Sequence, residues 1–274
     1  MVTRRDYDAG SVEAALSVVV EVVHLLGQYR DRIVVVGGWV PKLTMENPED
    51  PHVGSIDVDI ALDHRRIEDE AYGTIRELLL SRGYEEGRQP FIFYRRTTIG
   101  GREYRVEVDL LAGEYQGTGK KHRTQRVQDA RPRKARGCDL AFDDAVEVTV
   151  EGGLPGGGRD SVRVRVAAVV PFLVMKSAAL ANRLKEKDAW DIYYCLVHYP
   201  GGLDGLVGEL KRHVSHGLVR EGLHRIAEQF AFPEAVGPRF VADFDEIQDA
   251  DDRAIRQRDA YERVRYLMDK LGIE

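Results

Sequence analysis

Two aspartates one residue apart on an apolar stretch, in Gly54-Ser55-Ile56-Asp57-Val58-Asp59-Ile60, constrain this chain more than any other feature. Side chains on a β-strand alternate between its faces. The pattern therefore predicts a strand over residues 56–62 with Asp57 and Asp59 on one face, and with Ile56, Val58 and Ile60 turned into a core. Two carboxylates so close repel, and one stays protonated unless a cation neutralises the pair. Hard oxygen ligands of this kind suit Mg²⁺ or Mn²⁺. The alternative is an exposed edge strand whose two acids are simply solvated.

Two flanking stretches extend the pattern. Upstream, Ile33-Val34-Val35-Val36 runs into Gly37-Gly38, which predicts a strand, a glycine turn and a short helix over 39–45. Glycines there would let the backbone approach a phosphate and offer N–H groups at a helix start. Ser55 could add a hydroxyl to the same phosphates, with Gly54 allowing close approach, or could serve only as a turn residue before the strand. Downstream, Val106-Glu107-Val108-Asp109-Leu110 is a second apolar strand with acids. Asp109 is the preferred third carboxylate because it comes near the strand end, where α/β sheets open onto ligands. Glu107, two residues earlier on the same face, is the substitute, or else a partner for Arg105 or Arg102.

The remaining sequence frames these strands. Apolar residues at helical spacing over 12–29 predict an amphipathic helix with Ser11 as its cap. Two prolines make 47–52 a loop, and a helix is expected over 66–81, stopped by Gly83. A hairpin is expected around Gly100-Gly101, with strands over 91–97 and 103–111, and strands over 144–151 and 161–169 flank the glycine-rich tip 152–158. Pro171 suits the first turn of a helix, and the pattern stays helical to 274 with breaks near Lys185, Pro200-Gly201-Gly202 and Phe232-Pro233. The expected architecture is α/β (α+β): a mixed sheet with flanking helices in residues 1–170, then a helical domain, 171–274.

Within the helical part, Lys176 and Arg183 lie seven apart on one helical face, followed by Lys187-Asp188-Ala189-Trp190-Asp191. A lysine at nucleotide phosphates with an acid to orient it would make a phosphate clamp. Lys187 and Asp191, four apart, could equally form an ordinary exposed ion pair. Between Lys120 and Arg136 there are eight Lys or Arg residues and one acid, Asp129. In a chain of net charge −6, this is the stretch that could follow an RNA or DNA backbone, unless it is a solvated loop. No apolar run is long enough to span a membrane, the N-terminus does not read as an export signal, and only Cys138 and Cys195 are present, far apart. These features lead to the expectation of a cytoplasmic protein without disulfides. His213 and His216 lack companions for a metal site, and there is no nucleophile elbow.

The ordered set Gly37-Gly38, Gly54-Ser55-Ile56-Asp57-Val58-Asp59 and Asp109 resembles the DNA polymerase β-like nucleotidyltransferase superfamily. With Lys176-Ser177-Ala178-Ala179-Leu180-Ala181-Asn182-Arg183 and Lys187-Asp188-Ala189-Trp190-Asp191, it resembles the AbiEii group of toxin nucleotidyltransferases of bacterial toxin–antitoxin systems, over about residues 33–196. The resemblance implies a nucleotidyltransferase fold whose helical domain completes the nucleotide cleft. It implies Mg²⁺ (or Mn²⁺) on Asp57, Asp59 and Asp109, and an NTP held by Gly37, Gly38, Ser55, Lys176 and Arg183, with Asp188 or Asp191 as the helix acid. It further implies transfer of a nucleotide to tRNA or another RNA, and a cognate antitoxin as partner. Eighteen residues separate Gly38 from Asp57, and Trp39 follows the glycines where a small residue is common in the family. Two rivals accompany this reading: nucleotide transfer to a small molecule such as an antibiotic, and a non-catalytic nucleotide-binding protein on the same fold.

Overall fold

The computed structural model describes residues 1–45, 47–67, 73–119 and 121–273. It is a mixed α/β protein in which an eight-stranded sheet is flanked by helices and followed by a C-terminal helical region. Two compact units divide the chain: Tyr7–Thr44 with Gly54–Ala168, and Met1–Asp6 with Met45–Val53 and Val169–Glu274. No helix among the described residues is long and apolar enough to cross a membrane.

The sheet unit opens with helix α1, Ala9–Leu25, whose Ala14, Ala15, Val18, Val19 and Val22 are buried at helical spacing. Its cap is Asp8, which accepts from the Ser11 backbone N–H at 3.1 Å, and not Ser11, which lies inside the first turn. The strands are β1 (Ile33–Val36), β2 (Asp57–Leu62), β3 (Glu85–Glu86), β4 (Ile92–Ile99), β5 (Arg102–Ala112), β6 (Arg133–Lys134), β7 (Val146–Gly153) and β8 (Arg159–Val166). Seven run in the order β3-β4-β5-β2-β1-β8-β7, and β6 pairs with β5 off this path. The β4–β5 and β7–β8 hairpins are antiparallel, as is β1–β2, whereas β2–β5 and β1–β8 are parallel. Gly100 and Gly101 both have positive φ, 56° and 82°, which the tight turn between β4 and β5 requires.

Two further sequence expectations need correction here. Ile56 precedes β2 and is 38% exposed, so it does not join Val58 and Ile60 in the core. Helix α3 covers only Ile75–Ser81, because Thr74 and Glu77 form a capping box that starts it there. Residues 64–66 form a turn, and positions 68–72 of the expected helix lie outside the described residues. The short helix after the glycines, α2, spans Trp39–Thr44.

The helical unit comprises α4 (Val169–Arg183), α5 (Glu186–His198), α6 (Gly202–His213), α7 (Gly217–Gln229), α8 (Val236–Phe244) and α9 (Ala250–Leu271). Pro171 falls in the first turn of α4 as expected. Breaks occur at the three anticipated places and at two others, after His213 and after Phe244. At the first, His216 caps α7 by accepting from the Leu218 N–H; at the second, Asp249 caps α9 by accepting from Asp251 and Asp252 N–H groups. Helix α4 packs on α7, and α5 on α8, whose neighbour is α9. The first six residues, which precede the sheet strands in sequence, and the segment Met45–Val53, which falls between β1 and β2, belong to this unit.

Candidate active site

Parallel pairing of β2 with β5 sets Asp57 opposite Glu107 and Asp59 opposite Asp109. Paired residues on adjacent strands share a face, so four carboxylates line one face of the sheet, while Val58, Ile60, Val108 and Leu110 are buried. On the other side of β2, Val36 pairs with Asp59, which brings the Gly37 turn against the Asp59 carboxylate. A Cβ built on Gly37 would lie 2.0 Å from Asp59 Oδ2, and Gly37 has φ +69°. Glycine is thus required twice at this position, by backbone conformation and by the space Asp59 occupies.

The four acids differ in environment. Asp57, Asp59 and Glu107 are half-buried, whereas Asp109 is buried. Burial pushes the Asp109 carboxyl up to about 6 against the pull of the Arg133 guanidinium, with Glu107 and Asp57 adding to the rise. Arg133 Nη2 donates to Asp109 Oδ2 at 2.6 Å, while the buried Oδ1 accepts no hydrogen bond among the described residues. The Ser55 hydroxyl donates to Asp57 Oδ1 instead of standing open toward a phosphate. Trp39 stands behind the strand, its indole Nε1 donating to the Asp57 carbonyl at 2.8 Å, which ties α2 to the start of β2. Gly38 is buried in the turn, and α2 has only six residues.

These residues supply a hard-oxygen donor set of the kind Mg²⁺ or Mn²⁺ takes, and Asp109 Oδ1 is a buried polar atom left without a partner among the described residues. In the side-chain positions of this structure, no group of three or more His, Cys, Asp or Glu among the described residues is arranged to hold a metal ion. Asp109 is turned to Arg133 and Asp57 to Ser55.

The second candidate cluster lies in the helical unit. Lys176 Nζ is 2.9 Å from Asp188 Oδ1 and 2.6 Å from Asp191 Oδ2; Lys187 Nζ reaches Asp191 Oδ1 at 2.7 Å; Arg183 grips Asp188 through Nε and Nη2 at 2.7 and 2.8 Å. The alternative of an exposed Lys187–Asp191 pair fails, because those side chains are 6% and 0% exposed. Burial acts to raise both aspartates, but Lys176 outweighs it, with Arg183 at Asp188 and Lys187 at Asp191, and both carboxyls lie below the ordinary range. Burial acts to lower Lys176, and Asp188 with Asp191 overturn it, holding the ammonium well above its ordinary value. Lys176 is therefore charged near neutral pH, between two carboxylates.

His52 joins this cluster from the loop before the acidic strand. Its Nε2 lies 2.9 Å from Asp191 Oδ1, and its ring packs against Trp190 and Tyr194. Burial lowers its pKa to about 4, so the ring is neutral near pH 7 and Nε2 carries the proton it donates to the carboxylate. Sequence reasoning missed His52, as nothing local relates it to a residue 139 positions away. It also missed Arg133, which it counted only as part of a basic run.

That run divides in the structure. Arg133, Lys134 and Arg136 are half-buried and engaged, with Asp109, with the Thr118 and Gly119 carbonyls, and with Glu114 and the Tyr115 hydroxyl respectively. Lys121, Arg123, Arg126 and Arg131 are exposed, and Lys120 lies outside the described residues. Buried Gln125 organises the loop, donating to the Gly113 and Gln116 carbonyls and accepting from the Thr118 N–H and hydroxyl. Cys138 and Cys195 are free and buried. Comparison of the chain with protein-family models, with curated proteins and with solved structures finds no match in any of the three.

Proposed function

We propose that the chain is a divalent-metal-dependent nucleotidyltransferase of the AbiEii toxin kind, which moves a nucleoside monophosphate from an NTP to an acceptor hydroxyl on tRNA or another RNA. The observation that carries this reading is the β2–β5 register, with Asp57 and Asp59 beside Glu107 and Asp109 on one face and the Gly37 turn pressed against Asp59. Asp57, Asp59 and Asp109 would hold Mg²⁺ or Mn²⁺, which supplies charge neutralisation for the triphosphate and acidifies the acceptor hydroxyl. In the transfer, the acceptor oxygen bonds to the α-phosphorus, the bond from that phosphorus to the bridging oxygen breaks, and pyrophosphate leaves. Asp109 Oδ1, buried and without a hydrogen bond, is the acceptor for the hydroxyl proton.

In this reading Gly37 and Gly38 give the triphosphate close access to backbone, and Ser55 must exchange Asp57 for the phosphates to serve them. Lys176 and Arg183 act on the nucleotide phosphates, and Asp188 and Asp191 fix the lysine so that its ammonium keeps its charge and direction. The exposed Lys121, Arg123, Arg126 and Arg131 would contact an RNA backbone. A cognate antitoxin is part of the same proposal.

Incubation of the purified chain with each labelled NTP, Mg²⁺ and total cellular RNA tests this, with protein and aminoglycoside acceptors in parallel. Label on RNA is the expected result. Label on an aminoglycoside alone would favour the small-molecule enzyme, and nucleotide binding without pyrophosphate release on every acceptor would favour a non-catalytic binder.

A further inference from the structure

Arg133 holds the carboxylate that the metal reading requires. Its Nη2 donates to Asp109 Oδ2 at 2.6 Å, and its guanidinium carbon lies 5.8 Å from the centroid of the Phe91 ring. The Arg133 side chain is 40% exposed, that of Asp109 13%. Arg133 itself is bridged to Thr124 on the side of β6 away from β5. Strand β6 is two residues long and pairs with β5 only at Leu111 and Ala112, after the loop that Gln125 organises.

An uncompensated carboxylate is costly at a buried position, and Asp109 has Asp57 and Glu107 nearby to make it costlier. A guanidinium on Oδ2 relieves that cost without a metal. With Oδ1 assigned to the hydroxyl proton, a divalent cation at Asp109 takes Oδ2, and the guanidinium cannot stay there, because two cations would then share one ligand atom at contact distance. The half-exposed Arg133 can retreat into water cheaply, whereas Asp109 cannot.

We propose that Arg133 is an internal counter-ion that occupies Asp109 in the metal-free protein and is displaced when a divalent cation binds, so that arginine and metal compete for one carboxylate. This rests on the metal reading of the acidic face. It goes further by giving the sign of the arginine's effect: a residue that helped position Asp109 for the ion would strengthen binding, and a competitor weakens it.

Mn²⁺ titration of the full chain, read by the loss of the free-ion electron paramagnetic resonance signal, separates these. Arg133→Gln is expected to bind Mn²⁺ about tenfold more tightly than the unaltered chain, which corresponds to about 1.4 kcal/mol. Arg133→Lys, shorter and with a single charged nitrogen, is expected to fall between them and serves if the glutamine variant does not fold. Asp59→Asn is expected to lose the site. Equal or weaker Mn²⁺ binding in both Arg133 variants, with Asp59→Asn still defective, overturns the competition and leaves the metal reading standing. Absence of binding in the unaltered chain and in both Arg133 variants overturns both.

Discussion

Lys176 and Asp191 lie almost wholly out of water, so each depends on the other for its charge. Replacing Asp191 with alanine leaves Lys176 and Lys187 near each other without the carboxylate that both contact. The expected loss in chemical denaturation is about 3–5 kcal/mol. A loss below about 1 kcal/mol, the range of a surface pair, would contradict the buried network. His52 adds a pH dependence. Its pKa is about 4 in the fold and 6.5 when exposed, so between those values the unfolded chain carries a proton that the folded chain lacks. The His52 contribution to stability therefore falls as pH drops from about 6.5 toward 4, against an opposite contribution from Asp109, whose carboxyl is raised to about 6. His52→Gln, which keeps a donor for Asp191, should lose less melting temperature than the parent between pH 6.5 and 4, and an identical pH profile would count against the assignment. At this scale the sequence made the acids and Lys176 legible, because each sits in a local pattern. The partners His52 and Arg133 are brought in by the fold from distant segments, and no spacing rule reaches them.

Among the elements, the β1–α2 turn and the loop before β6 decide how the acidic face is held. Gly37→Ala would force a side chain into φ +69° and into the space of Asp59 Oδ2. The expected cost is about 1–3 kcal/mol, with Asp59 displaced and divalent binding weakened; a variant that melts and binds Mn²⁺ like the parent would contradict the packing. Gln125→Ala removes four hydrogen bonds that gather residues 113–118. Amide exchange in the loop around residues 113–125 should then rise while β2 and β5 stay protected, and no change in that loop would contradict the role given to Gln125. The long amphipathic α1, both hairpins and the glycine turn were legible because period and turn chemistry agree there. Ser11 misled because Asp8, three residues earlier, is the better-placed acceptor. The breaks before α7 and α9 carry polar caps, His216 and Asp249, in place of the Pro200-Gly201-Gly202 and Pro233 that mark two of the others.

The whole molecule is two compact units assembled from interleaved segments, and a cut at one place in the sequence does not describe it. Met45–Val53 leaves the sheet unit between Thr44 and Gly54 and delivers His52 to α5. The 18-residue spacing between Gly38 and Asp57 is filled by α2 and this excursion, a reason that only three-dimensional contacts reveal. The central claim is that Asp57 and Asp59 gather a divalent cation for nucleotide transfer. Its most direct test is pyrophosphate release from labelled NTP, with and without Mg²⁺, by the full chain and by Asp57→Asn and Asp59→Asn variants whose melting curves match the parent. The proposal predicts Mg²⁺-dependent release that falls at least about a hundredfold in each variant, and parent-level release from both variants would contradict it.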